Sequence, residues 1–168
     1  WMVHSFPTRR SSDLRLYFLK SPHPEAALRP VMVLIPGGPG LSYRTLAPLT
    51  ELNAQVDLVF MDPPAVGEAK GLAFEHDLGN QYDRIIENVA STIHDEIEVK
   101  MDRDVSLVGF SSGGVIAGEA IARFSPHLLR RVKGLVVIAA CMTDSSYRAL
   151  CQIRENSRLG SAEYQTTK

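Results

Sequence analysis

The segment Gly109-Phe110-Ser111-Ser112-Gly113 sets a hydroxyl between two small residues. Serine is a useful nucleophile only when its oxygen is held out toward a substrate. A sharp strand-to-helix turn of the Gly-x-Ser-x-Gly type does this, because glycines two residues either side of the serine let strand and helix close up behind it. The helix amino end then offers unpaired N–H groups to negative charge developing on an attacked carbonyl. A second run, Pro36-Gly37-Gly38-Pro39-Gly40, follows the apolar Val31–Ile35. Acyl transfer needs two N–H donors aimed at a tetrahedral oxyanion. We expect Ser112 and Gly38 to supply them, with Ser111 as nucleophile, Gly109 and Gly113 building the turn, and Gly37, Pro39 and Gly40 shaping the loop. The competing reading of each run is a plain glycine turn. Neither carries the Gly-Lys-Ser/Thr ending or the Gly-x-Gly-x-x-Gly pattern of a nucleotide-binding loop.

Both runs need strands before them. Val31–Ile35, Leu58–Met61, Val105–Phe110 and Val132–Ala139 are apolar or nearly so, which suits strands covered on both faces. An earlier strand-like run is Arg15–Lys20, ended by the turn formers Ser21-Pro22-His23-Pro24. Between these runs lie helical patterns. One spans Tyr43–Leu52. A stripe of Tyr82, Ile85, Ile86, Val89, Ile93 and Ile97 predicts a long helix with Asn80 as its N-cap and Asp83 in its first turn. A small-residue helix is expected over Gly113–Phe124. Strands alternating with helices predict an α/β domain with a mostly parallel sheet and helices on both faces.

Composition agrees with a globular domain and excludes other classes. The chain has 168 residues, 45% of them hydrophobic and 22% charged. Eighteen basic against nineteen acidic side chains leave a net charge of −1. That is no basis for binding a phosphate backbone, so nucleic acid is not an expected partner. The longest apolar run is far short of a membrane span. Cys141 and Cys151 form no metal or disulfide pattern and suit a reducing compartment, the cytoplasm. We expect no cofactor and no metal, and as partner a small molecule or short peptide acting as substrate.

Together the GGPG loop, Asp62 after the second buried strand, the long helix and the GFSSG turn resemble the α/β-hydrolase fold. More narrowly they are similar to the proline iminopeptidase branch, whose loop reads His-Gly-Gly-Pro-Gly. The resemblance spans most of Arg15–Ala139 and is most specific at Gly37, Gly38, Pro39 and Gly40. It implies a serine hydrolase acting on a peptide, amide or ester carbonyl, with release of an amino-terminal residue as the expected reaction on a peptide or amide. An esterase, thioesterase or lactonase of the same fold, and a non-catalytic binding protein, are the alternatives. This chain departs from the family at Pro36, where a His is usual, and at Asp62–Glu68, where an Arg is lost. Ser112 stands where a bulkier residue is common.

In that fold the acid and the base follow the serine in the chain. Only His127 does so, at the far end of the helix that the turn starts, roughly 20 Å away at 1.5 Å per residue. His76 and His94 precede the serine and read as solvated side chains, and Asp144 as a loop acid. The expectation is an incomplete hydrolase domain over residues 15–142, followed by the start of a lid over 143–168, with negligible turnover from these residues alone. The last strand, Gly134–Ala139, would then be an open sheet edge prone to self-association. His4–Leu14 fits a translated sequencing adapter, or else a basic, Ser-rich leader. On the first, favoured reading, residues 1–14 are not native and carry no functional argument.

Overall fold

The computed structural model describes residues 4–6, 15–19, 29–38, 40–62, 78–95 and 102–140. They form six strands: β1 (His4–Phe6), β2 (Arg15–Leu19), β3 (Val31–Ile35), β4 (Asp57–Asp62), β5 (Val105–Phe110) and β6 (Val132–Ile138). Three α-helices, α1 (Leu78–Ile93), α2 (Ser112–Ala122) and α3 (Pro126–Arg131), and a 3-10 helix at Tyr43–Ala54 complete the elements. The strands make one sheet in the order β1-β2-β4-β3-β5-β6. The apolar runs are the parallel part: β3 pairs with β4 and β5, and β5 with β6. The first two strands are antiparallel, to each other and, for β2, to β4. This is the expected α/β architecture.

Alternation along each buried strand divides the core in two, because successive side chains leave a strand on opposite faces. Val31, Val33 and Ile35 of β3, Val59 and Met61 of β4, and Val105 and Leu107 of β5 join one cluster. It is closed by Ile86, Val89 and Ile93 of α1 and by Ile116, Ala117, Ala120 and Ile121 of α2. Leu34, Leu58, Phe60 and Val108 point the other way and meet Leu46 of the 3-10 helix. Helices therefore cover both faces, as a parallel sheet requires. Farther out on the second face, Val136 and Ile138 of β6 are 49% and 38% exposed. Among the described residues no helix is long and apolar enough to cross a membrane.

Several expectations shift in detail. Helix α1 begins at Leu78, so Asn80 lies in its first turn and not at the N-cap; burial of the Ile86–Val89–Ile93 stripe holds the helix, since tertiary packing outweighs local preference. Ile97 lies outside the described residues. The segment Tyr43–Ala54 is 3-10, not α, with Pro48 inside it; in an α-helix the proline ring would clash with the carbonyl four residues back. The small-residue helix ends at Ala122, and a separate α3 starts after Ser125, whose Oγ accepts from the Leu128 N–H at 3.0 Å. His4–Phe6, assigned to the leader, pairs with β2 across His4–Phe18, Ser5–Tyr17 and Phe6–Leu16. An edge strand is recruited through its backbone, whatever its side chains.

At the amino ends of β4 and β5, Arg103 ties the sheet together. Its Nη1 donates to Asp57 Oδ2 at 2.7 Å and its Nε to the Arg29 carbonyl at 2.6 Å. The two side chains are only 14% and 9% exposed. Removing one partner of such a pair strands the other charge. Asp57→Ala should therefore lower stability by about 3 kcal/mol, read from urea denaturation, while the double change Asp57→Ala with Arg103→Met should recover part of that loss.

Candidate active site

Parallel pairing brings the two glycine-rich runs together. Ile35 stands beside Gly109 in the β3–β5 register, so the loop after β3 and the turn after β5 leave the sheet side by side. The chain runs from β3 to β4 in one direction and from β5 to β6 in the other. The crevice at the carboxyl ends of β3 and β5 is thus a topological switch point, where open α/β sheets bind their ligands.

Ser111 makes the turn. It caps α2 with φ 53° and ψ −128°, a conformation L-residues rarely hold. Its N–H donates to the Ile138 carbonyl of β6 at 2.8 Å, and its carbonyl accepts from Gly114 N–H at 2.9 Å. The strain follows from how closely strand and helix meet. A Cβ on Gly109 would overlap the Gly113 carbonyl and Gly114 Cα, and one on Gly113 would overlap the carbonyl oxygens of Ile35 and Pro36. With Gly109 and Gly113 two residues away on either side forced to be glycine, Ser111 is the residue that absorbs the bend. Its side chain is half-buried, and among the described residues its hydroxyl has no hydrogen-bond partner.

Gly37 packs directly on this turn. A Cβ there would lie 2.8 Å from both the Ser111 Cβ and the Phe110 carbonyl oxygen. Gly38 follows at φ 143°, in the range that glycine tolerates, and its carbonyl accepts a hydrogen bond from Ser112 Oγ at 2.7 Å. Ser112 is the first residue of α2, so its own N–H has no intrahelical acceptor. Gly40 is exposed with open space around it, and Pro39 lies outside the described residues. The structure thus assembles Gly37, Gly38, Ser111, Ser112, Gly109 and Gly113 at one place, with the glycine loop and the start of α2 side by side at Ser111.

Asp62 holds the far end of the loop. It is fully buried at the end of β4, takes the Tyr17 hydroxyl at 3.0 Å on Oδ2, and accepts the Tyr43 N–H at 2.7 Å on Oδ1. Tyr17 and Tyr43 stack with ring centroids 4.2 Å apart. A carboxylate at the start of the helix after the loop satisfies one of its free amides. Of this arrangement the sequence signalled only Asp62 as the end of a strand. The available hint was an acid closing an apolar run just before Pro63-Pro64.

The histidines stay apart from the turn. His127 is exposed on α3, and His94 is exposed at the carboxyl end of α1. His76 and Asp144 lie outside the described residues, as do Asp62's successors 63–77. Among the described residues no group of three or more His, Cys, Asp or Glu could hold a metal ion.

The sequence profile described as "Alpha/beta hydrolase family" matches residues 32–164. No curated protein matches the chain. Among solved structures it is similar to a lipase-esterase related protein from Clostridium acetobutylicum, with a TM-score of 0.58 at 19% identity over 74% of this chain and 46% of that one. It is also similar to a thermostable carboxyl esterase from Bacillus coagulans (TM-score 0.57, 19% identity, 81% and 43% of the two chains). A haloalkane dehalogenase variant from Agrobacterium tumefaciens matches with a TM-score of 0.57 at 17% identity over 83% and 41%. The chain spans less than half the length of each of these structures.

The backbone at position 111 stores strain of about 1–3 kcal/mol that a residue without Cβ does not feel. Ser111→Gly should therefore stabilise the fold by about 1 kcal/mol after the entropic cost of glycine. Ser111→Ala, which keeps the Cβ, should not. Chemical denaturation of the two variants side by side measures the difference.

Proposed function

The chain belongs to the alpha/beta hydrolase family, and on that premise we propose that it is the part of a serine hydrolase that carries the nucleophile and the oxyanion donors for attack on a carboxylic carbonyl. The observation that carries this reading is the strained Ser111, packed against Gly37, its hydroxyl without a hydrogen-bond partner among the described residues. Strain of this kind persists only where surrounding structure enforces it, and it clusters at catalytic positions. Fold membership alone would not choose the reaction, since the same architecture serves a dehalogenase and an esterase among the similar structures.

In the proposed reaction Ser111 Oγ bonds to the carbonyl carbon while a general base takes its proton. The carbonyl π electrons move onto oxygen, where N–H groups of Ser112 and Gly38 stabilise the charge. Collapse of this intermediate restores the carbonyl and breaks its bond to the alcohol or amine, which leaves with the proton. Water then attacks the acyl–serine ester in the same way, releasing the acid and restoring the hydroxyl. The base and its orienting acid are not among the described residues. His127 and His94 are on surfaces of α3 and α1, not at the turn.

Two substrate classes follow from different features. The match of Gly37, Gly38, Pro39 and Gly40 to the loop of proline iminopeptidases supports an aminopeptidase acting on a short peptide or amide. The lipase-esterase related and carboxyl esterase structures support an ester substrate. An aminopeptidase also needs a carboxylate for the substrate ammonium. Asp62, the buried acid beside the loop, is already engaged by Tyr17 and Tyr43, which favours the ester.

In the full-length protein, Ser111→Ala should abolish both fluorophosphonate labelling and turnover of p-nitrophenyl butyrate, a loss of at least a thousandfold. Undiminished labelling of the alanine variant would refute the assignment. Turnover of proline p-nitroanilide at a rate above that of the ester would favour the aminopeptidase.

A further inference from the structure

We propose that the Ser112 side chain is a positioning residue for this reaction: by fixing the Gly38 carbonyl, its hydroxyl holds the glycine loop in the form that can donate to the oxyanion. The proposal rests on the reading of Ser111 as nucleophile. It adds a role for a hydroxyl where the resembling family commonly carries a bulkier side chain.

Gly37 is packed on the turn and Asp62 grips Tyr43 beyond the loop, but among the described residues the middle of the loop has little else to define its shape. Gly38 at φ 143° and Gly40 at φ 94° flank Pro39, so on both sides of the proline the backbone holds conformations that only glycine adopts readily. Ser112 Oγ to Gly38 O, at 2.7 Å, is the only side-chain hydrogen bond among the described residues that joins residues 36–41 to the turn. The bonded group matters as well. The peptide unit between Gly38 and Pro39 has a carbonyl but no N–H. Released, its oxygen is free to swing toward Ser111 and place an acceptor where negative charge develops. Held against the first turn of α2, it lies at the positive end of a helix, where an oxygen is favoured.

The same residue also offers its own N–H at the helix start. Ser112 therefore links the two segments that carry the donors. Moving one relative to the other by an ångström or so is the kind of misplacement that costs up to about a hundredfold in rate. The expected signature is a loss in acylation with substrate binding preserved, because the loop's shape is used when the oxyanion forms.

The test uses the full-length protein with Ser112→Ala, Ser112→Thr and Ser111→Ala. Measured are kcat and KM on p-nitrophenyl butyrate, the rate of fluorophosphonate modification, hydrogen exchange of the segment 36–42, and the thermal midpoint. Ser112→Ala should lower kcat and the modification rate about tenfold or more, leave KM within about twofold, and speed exchange of 36–42. Ser112→Thr, which keeps the hydroxyl, should restore most of the rate. The proposal is overturned if Ser112→Ala reacts and exchanges like the parent while Ser111→Ala is silent. It is also overturned if Thr fails as badly as Ala with the fold intact. Full reactivity of Ser111→Ala would instead remove the underlying reading, and with it the catalytic role; exchange of 36–42 would then still report whether the hydroxyl holds the loop.

Discussion

Everything at the candidate site depends on three backbones meeting without side chains between them. The end of β5, the first turn of α2 and the end of β3 approach so closely that a single methyl group at Gly109 or Gly113 has nowhere to go. A helix can begin immediately after a strand only if one residue takes the whole change of direction, and that residue is Ser111. Its backbone strain and its position above the sheet are one fact seen twice. A looser crossing would relax the turn and let the hydroxyl sink or wander.

Around this crossing the sheet provides alignment and a few polar contacts provide orientation. Equal register of β3 and β5 fixes the height at which the loop and the turn emerge. Asp62 at the end of β4 then grips the chain where the loop becomes helix, through the Tyr43 N–H and with the Tyr17 hydroxyl on its other oxygen. The carboxylate is buried, and its bonds to these two donors are what make that burial tolerable. The loop is held at its far end by β4 and in its middle by α2, so its glycines can supply a close approach without leaving it shapeless.

Much of this was legible in the residue pattern, and what escaped has a common cause. Runs such as Val31–Ile35 and Leu58–Met61 announce buried strands because nothing polar interrupts them. Ile86, Val89 and Ile93 announce a helix by their spacing, and the glycines around Ser111 announce the turn. These are local signals. The hydroxyl of Ser112 on the Gly38 carbonyl and the grip of Asp62 on Tyr43 are contacts between distant parts of the chain, invisible until the sheet order is known. The same holds for Asn80, a good capping residue that packing of the stripe drew inside the helix, and for Pro48, whose ring disfavours an α turn and sits in a 3-10 segment. The lid assigned to residues 143–168 lies outside the described residues.

The bond between Gly38 and Ser112 spans 74 positions of sequence, and β3 sits in the sheet between two neighbours that are both synthesised after it. A growing polypeptide therefore cannot form this corner early. β3 has to wait for β4 on one flank and for β5 on the other, and closing such long loops is the slow part of folding. The crevice is in consequence among the last features to exist, and its appearance dates the moment at which the sheet's most remote pairing is complete.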